Sequence, residues 1–241
     1  MRLAPVPSDA ESIAARAIEL DGVDLELGGR LVLQGVTVRL DQQRIAVIGA
    51  NGSGKSTFAR LLNGLVSPTR GSVRVHGLDV ARDVKRVRRA VGFVFTDPDS
   101  QILMPTVAED VGFSLRQRGL SRQQIAERVS SVLERFGLGD HKDAPAHSLS
   151  GGQKQLLAIA GVLVGEPALV VADEPTTLLD LANARRVGAL LLEELAAQTV
   201  LVTHDLALAA RCDVAVRFAG GRVLAVGDPH ELVDAYRAEQ T

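Results

Sequence analysis

The 241-residue chain has little aromatic surface: Phe, Trp and Tyr make up 3% of it, with one tyrosine and no tryptophan. That disfavours stacking platforms for single-stranded nucleic acid and the aromatic belts of membrane-spanning chains. Cys212 is the sole cysteine. No intramolecular disulfide and no cysteine-based metal site can form, which suits a reducing compartment. No apolar run approaches the roughly 18–20 residues that span a bilayer. An excess of one charge is lacking too: 27 Lys and Arg stand against 29 Asp and Glu, a net −2. This balance gives no support to a general nucleic-acid binder. The stretch Met1 to Asp9 has prolines and an acid where a signal peptide has an apolar centre, so residues 1–16 are expected to be a loose N-terminal extension.

Hydrophobic residues make up 46% and charged residues 23%, the balance of an ordinary globular protein. One domain over residues 17–241 is the expectation. Ala17–Leu27 and Leu31–Leu40 alternate apolar and polar residues around Gly28-Gly29, the pattern of an antiparallel hairpin. Arg44–Ile48, Val91–Phe95, Ala168–Ala172 and Thr199–Thr203 read as short buried strands. Helical spacing follows Lys55 as far as Leu65 and recurs around Ala184–Ala197. Between about 97 and 160 the periodicity is helical, as in Ile125, Val129, Val132, Leu133 and Phe136, so an inserted helical subdomain is expected. Ala215–Phe218 and Arg222–Val226 flank Ala219-Gly220-Gly221 as a second hairpin. Strands alternating with helices predict an α/β fold with a parallel sheet.

Gly49-Ala50-Asn51-Gly52-Ser53-Gly54-Lys55-Ser56 matches the phosphate-binding loop G-x-x-x-x-G-K-[ST], with an apolar strand before it and an amphipathic helix after it. Glycines let the backbone curl until successive N–H groups face an anion, and the helix start adds positive potential. Lys55 supplies a charge for the terminal phosphates and Ser56 a hydroxyl for Mg²⁺. Val170-Val171-Ala172-Asp173-Glu174 ends a buried strand in two acids. Neighbouring side chains on an extended chain point to opposite sides, so Asp173 suits the metal shell and Glu174 the polarisation of an attacking water. Leu149-Ser150-Gly151-Gly152-Gln153 is a second helix start that can offer N–H donors to an anion. One nucleotide has no need of two such loops, so this one suits a nucleotide held by another subunit. His204, after the strand that ends at Thr203, can hydrogen-bond a γ-phosphate. The basic run Arg82 to Arg89 reads as a solvated helix face.

In the order phosphate loop, helical insert, Leu-Ser-Gly-Gly-Gln, Asp-Glu and His, the chain resembles the ATP-binding-cassette ATPases over residues 17–230. The resemblance implies a P-loop NTPase core of RecA-like type, an antiparallel β subdomain and the helical subdomain. It implies ATP and Mg²⁺ as cofactors and a head-to-tail dimer enclosing two ATP molecules. Lys55, Ser56, Thr57, Asp173, Glu174 and His204 would come from one subunit and Ser150, Gly151 and Gly152 from the other. Asp180, in the segment Thr177-Leu178-Leu179-Asp180, would lie at the dimer seam. Val94–Gln101 is similar to the ATPases of energy-coupling-factor importers, and Met104–Val111 and Glu174–Leu181 look most like the biotin branch, with the cobalt and nickel branch next.

This implies a peripheral protein on the cytoplasmic face of the cell membrane. Its partners would be a second ATPase subunit, a transmembrane coupling subunit and a substrate-binding membrane subunit. Nucleic acid and the transported molecule would not touch it. Asp97, Asp99, Glu109 and Asp110 would lie under cytoplasmic helices of the membrane partner, unless Asp97 and Asp99 only cap the next helix and end the strand. The chain departs from the family at two positions. Thr96 stands where a metal-facing Gln is usual, and Leu27 where an aromatic residue stacks on adenine. A soluble cassette ATPase of translation or DNA repair and a small-molecule P-loop kinase are the competing readings. The first usually needs tandem cassettes or coiled coils, and the second has no use for Leu149–Gln153.

Overall fold

Two-residue glycine turns, buried strands and capped helices recur along the chain, and the computed structural model describes them over residues 16–116 and 118–239. In chain order the elements are β1 (Ile18–Leu27), β2 (Arg30–Leu40), β3 (Arg44–Gly49), α1 (Lys55–Leu62), β4 (Arg70–Val75), β5 (Leu78–Asp79) and α2 (Val84–Ala90). Then come β6 (Val91–Val94), α3 (Val107–Phe113), α4 (Arg122–Arg135), α5 (Gly151–Leu163), β7 (Leu169–Asp173) and α6 (Leu181–Ala189). β8 (Gln198–Val202), α7 (Leu206–Ala209), β9 (Val214–Ala219), β10 (Arg222–Gly227) and α8 (Pro229–Glu239) complete the order. Two compact units result, Met1–Arg89 with Val200–Thr241, and Ala90–Thr199. The extension expected over residues 1–16 lies, up to residue 15, outside the described residues.

In the first unit β1 and β2 form the expected hairpin, with Leu27 opposite Arg30 and Ile18 opposite Leu40. Gly28 and Gly29 both have positive φ, 57° and 76°, which a type I′ turn requires at both central positions. The alternation buries Ile18, Leu20, Leu33, Val36 and Leu40 on one side. β4 pairs antiparallel with β1, and β5 follows it, giving the sheet order β2-β1-β4-β5. β4 and β5 are absent from the sequence reading because β4 buries only Val73 and Val75 among charged and small neighbours. β3 is buried at all six positions and runs parallel to β9, with Val47 opposite Val216 and Gly49 opposite Phe218. β9 turns through Gly220-Gly221 into antiparallel β10. Phe58 of α1 and Phe218 of β9 are buried with ring centroids 5.2 Å apart, each ring contributing roughly 1.5–3 kcal/mol. Cys212 is buried, and burial, helped by Asp213, pushes its thiol up to about 12. It is a packing residue.

In the second unit β6 and β7 pair in parallel, Val91 opposite Leu169 and Val94 opposite Ala172. α5 lies against β6: a Cβ on Gly92 would stand 2.4 Å from Cγ1 of Val162. Helices α3, α4 and α5 occupy the stretch where helical periodicity was expected. Each begins in a capping box, Thr106 with Glu109, Ser121 with Gln124 and Ser150 with Gln153. The helix expected at Ala184–Ala197 starts earlier, because Asp180 caps it, and ends in a π-type turn over Leu190–Glu194. α1 stops at Leu62 rather than Leu65. No helix of the described residues is long and apolar enough to cross a membrane.

Candidate nucleotide site

The phosphate loop joins β3 to α1, and its backbone conformation explains its glycines. Gly49, Gly52 and Gly54 have φ of 145°, 75° and 106°. A Cβ on Gly49 would stand 2.2 Å from the carbonyl oxygen of Phe218, and one on Gly54 would stand 2.8 Å from Cδ2 of Leu33. Two of the three therefore answer to space as well as to φ. The loop is wedged between the end of β9 and the middle of β2. Ser53 N–H donates to the Ala50 carbonyl at 3.2 Å, and Phe58 N–H to the Gly54 carbonyl at 2.8 Å. Lys55 is 6% exposed and folds back over the loop, its Nζ donating to the carbonyls of Gly49 at 2.6 Å and Ala50 at 2.9 Å. The ammonium thus crosses the loop. Asn51 and Gly52 form its exposed crest, while Ser53, Lys55 and the turn into α1 are buried. Ser56 and Thr57, the next two positions of α1, are half-buried.

His204 follows β8. The preceding Thr203 is fully buried and donates its N–H to the Val47 carbonyl at 3.2 Å, which puts His204 near the same end of β3 as the phosphate loop. Its ring is exposed. Asp205 closes the turn, accepting from Ala207 and Leu208 N–H at 3.0 Å each. Leu27 sits at the hairpin tip, 44% exposed.

In the second unit β7 delivers Asp173 to its end with 3% exposure. Glu174 follows with φ of 54°, a left-handed conformation rare for a non-glycine residue. Oγ1 of Thr177 donates to its carboxylate at 3.4 Å. Oγ1 of Thr96 donates to the backbone carbonyl of Asp173 at 3.0 Å, tying the end of β6 to the end of β7. Ser150 caps α5, with its hydroxyl accepting from Gln153 N–H at 3.3 Å and its N–H donating to Oε1 of Gln153 at 2.9 Å. A Cβ on Gly151 would meet nothing within 4 Å, and one on Gly152 would meet only Leu179 and the Leu178 carbonyl at ordinary contact distance. Packing inside the chain therefore demands neither glycine. Asp180 caps α6, accepting from Asn183 N–H at 2.8 Å.

The four acids read as a docking cluster all have intramolecular partners. Asp97 accepts from Asp99 N–H and Ser100 Oγ, Asp99 pairs with Lys154 at 2.6 Å, Glu109 closes the Thr106 capping box, and Asp110 accepts from Leu103 and Met104 N–H. Asp97 is the helix cap that the alternative reading expects, whereas the Asp99 side chain makes an ion pair instead of a cap.

Sequence reading used Gln101 only as the end of the stretch Val94–Gln101 and gave Gln155 no part. Gln101 accepts from Phe95 N–H at 3.1 Å and donates to the Ala158 carbonyl at 3.0 Å, and Gln155 reaches the Phe95 carbonyl at 3.4 Å. The two amides pin the end of β6, next to Thr96, onto α5. Gln155 stands between the polar pair Gln153-Lys154 and the apolar run Leu156–Ala160, so nothing in the sequence signals that its side chain is buried.

The family model for ABC transporters matches residues 33–177. A biotin transport ATP-binding protein, BioM of Rhizobium etli, is 42% identical over 220 residues, covering 91% of this chain and 97% of that one. This chain belongs to the ABC transporter family. Its ATPase character accords with the phosphate loop. An energy-coupling factor transporter ATP-binding protein, EcfA1 of Symbiobacterium thermophilum, is 42% identical over 93% of this chain and 76% of that one. Among solved structures, cbiO1 of Clostridium perfringens, part of the ABC transporter complex cbiONQ, is 32% identical with a TM-score of 0.79, covering 92% of this chain and 93% of that one. A dimeric ATP-binding cassette in a post-hydrolysis state with ADP and Pi has the same TM-score at 27% identity, covering 88% of this chain and 98% of that one.

Proposed function

We propose that this ABC ATPase is the ATP-hydrolysing subunit of an energy-coupling-factor type importer, that its importer carries biotin, and that it works as a homodimer at the cytoplasmic face of the membrane beside a transmembrane coupling subunit and a substrate-binding membrane subunit. The carrying observation is the pairing of a phosphate loop shaped by glycine and Lys55 with a second, capped helix start at Ser150 whose Gly151 faces open space. Biotin rests on the 42% likeness to BioM. A cobalt or nickel importer of the same type is the second reading, drawing on the likeness to cbiO1 at 32%.

The loop from Gly49 to Gly54 cradles phosphate through its N–H groups, and Lys55 turns from the loop carbonyls to the terminal phosphates. Thr57 and Ser56, at the first turn of α1, extend the cradle. Among the described residues no three His, Cys, Asp or Glu cluster as a metal site. That fits Mg²⁺, which is usually held by one or two carboxylates, waters and the substrate's own phosphates. Ser56 and Asp173 would be its protein ligands, with Thr96 acting through water. The ion would supply charge neutralisation on the phosphates. Glu174 polarises the attacking water and His204 contacts the γ-phosphate, so catalysis is positioning and charge stabilisation. Ser150, Gly151 and Gly152 complete the site of the second copy. Leu27 offers the base an apolar contact in place of an aromatic ring.

Glu174→Gln removes the water-polarising carboxylate and leaves Lys55 and the loop in place. Turnover should be lost while ATP binding persists, and gel filtration in Mg-ATP should show the dimer. A monomer under those conditions, with ATP bound, would sink the sandwich. Deleting this chain should abolish biotin uptake by cells. Loss of cobalt or nickel uptake with biotin uptake intact would move the assignment to the second reading.

A further inference from the structure

The nucleotide site makes no use of the basic run that ends the first unit. Arg82, Lys85, Arg86, Arg88 and Arg89 are all exposed, whereas Val87 of the same helix is buried. α2 therefore packs through one valine and turns a cationic face to solvent. The chain as a whole carries a net charge of −2, so this face is not a sample of its general surface.

Local structure accounts for only some of the charges. Lys85 stands three residues before Arg88 and four before Arg89, and like charges at those spacings weaken a helix. The two acids of the segment are mostly occupied with shaping it. Asp79 accepts from Ala81 and Arg82 N–H, and Asp83 accepts from Asp79 N–H and meets Arg86 at 3.4 Å. Arg88 donates to the Gly64 carbonyl at 2.9 Å. Among the described residues the side chains of Arg82 and Lys85 make no hydrogen bond or ion pair.

The hydrogen bond from Arg88 brings a second feature alongside. Leu65, the residue after Gly64, is 42% exposed. A Cβ on Gly64 would lie 3.7 Å from Cγ1 of Val84, so this loop runs beside α2. Cations flanking an exposed leucine form the composition of a surface that meets headgroups with charge and the acyl boundary with an apolar side chain. A nucleic-acid backbone would use the charges and leave the leucine idle.

We propose that the outer face of α2, with Leu65 at its edge, is a docking surface for an anionic phospholipid bilayer. The inference rests on the reading of the chain as a membrane-associated transporter subunit. ATP turnover is measured on the same samples, so that failure of lipid docking and failure of the ATPase reading stay distinguishable.

The test is co-sedimentation of the full chain with phosphatidylcholine vesicles, with and without phosphatidylserine. Binding should need phosphatidylserine and fall away in high salt. Arg82→Gln with Lys85→Gln removes two charges that have no side-chain partner in the described structure. It should weaken partitioning about twenty-five-fold, about fivefold per charge, with ATP turnover and melting temperature unchanged. Leu65→Asn should weaken binding further at a given salt. If the double variant loses stability, each single variant should still show about a fivefold loss. Equal binding to neutral vesicles, wild-type partitioning by the variants, or tighter capture by a short DNA duplex than by anionic vesicles would each overturn the proposal.

Discussion

Glu174 is where the sequence and the backbone disagree most usefully. Its φ of 54° puts a Cβ-bearing, non-Asn side chain in the left-handed region, at a typical cost of about 1–2 kcal/mol. A residue chosen for stability at that position would be Gly or Asn. Glu174→Asn should therefore leave the melting temperature at or above the wild-type value while ATP turnover is lost, and Glu174→Val should lower the melting temperature, because a β-branched side chain is a genuine outlier at positive φ. Thermal melts beside an ATPase assay check both halves. An Asn variant less stable than wild type would show that the carboxylate's own contacts outweigh the backbone strain. The sequence made Glu174 legible as a candidate through its place after Asp173. It could not show the strain, because adjacent acids at a strand end say nothing about φ. Thr96 was legible only as a departure. That its hydroxyl holds the Asp173 carbonyl follows from two strands lying side by side, which spacing along the chain does not encode.

At the scale of elements, what was legible had a strong local signal. Gly28-Gly29 and Gly220-Gly221 marked both hairpins because type I′-like turns need φ that glycine alone adopts freely. β3 and β7 announced themselves as unbroken apolar runs. The elements that were missed have weak patterns or depend on distant partners. β5 is two residues long, and α8 buries only Pro229 and Val233. α8 is instead held at its far end by Glu239, whose Oε1 accepts from Nη1 of Arg217 at 2.7 Å, with a second contact from Nη2 to Oε2. The Arg217 guanidinium also lies 5.5 Å from the centroid of Tyr236. The hydrogen bonds from Arg217 hold the Glu239 carboxyl below its ordinary value of 4.5, and raise that of Arg217 in return. For a carboxyl depressed in the folded state, the stabilisation is present above the unfolded value and is lost as pH falls through the folded one. The last turn of α8 should therefore keep its amide protection at neutral pH and lose it as pH drops below about 4.5. Glu239→Gln should show weaker protection at neutral pH and no such acid step. Hydrogen exchange followed across that range decides it, and a wild-type last turn indifferent to pH would remove Arg217–Glu239 as its tether.

For the whole molecule, the open space before Gly151 leaves room for the proposed second copy. The chain folds without needing either glycine of Leu149–Gln153, yet carries both at a capped helix start, which is what the proposed second copy requires. If a second copy fills that role, each nucleotide takes Lys55 from one chain and Ser150 from the other. Isologous pairing then gives two identical sites, each mixed in origin. Lys55→Ala should be inactive in every homodimer, and so should Ser150→Arg. Ser150→Arg places a bulky cation where the helix start must approach phosphate, and it also removes the hydroxyl that caps Gln153. The mixture should not be inactive. A dimer with one chain of each kind has one site damaged at both halves and one site damaged at neither. Random pairing makes about half the dimers mixed, so independent sites should recover roughly a quarter of wild-type turnover. A stability loss in the Ser150 variant lowers that recovery without abolishing it, and a melting curve measures the discount. If every site is instead built within one chain, both chains are dead in any pairing and mixing recovers nothing. Turnover measured across the mixing ratio, with a maximum at equal amounts, separates the two architectures.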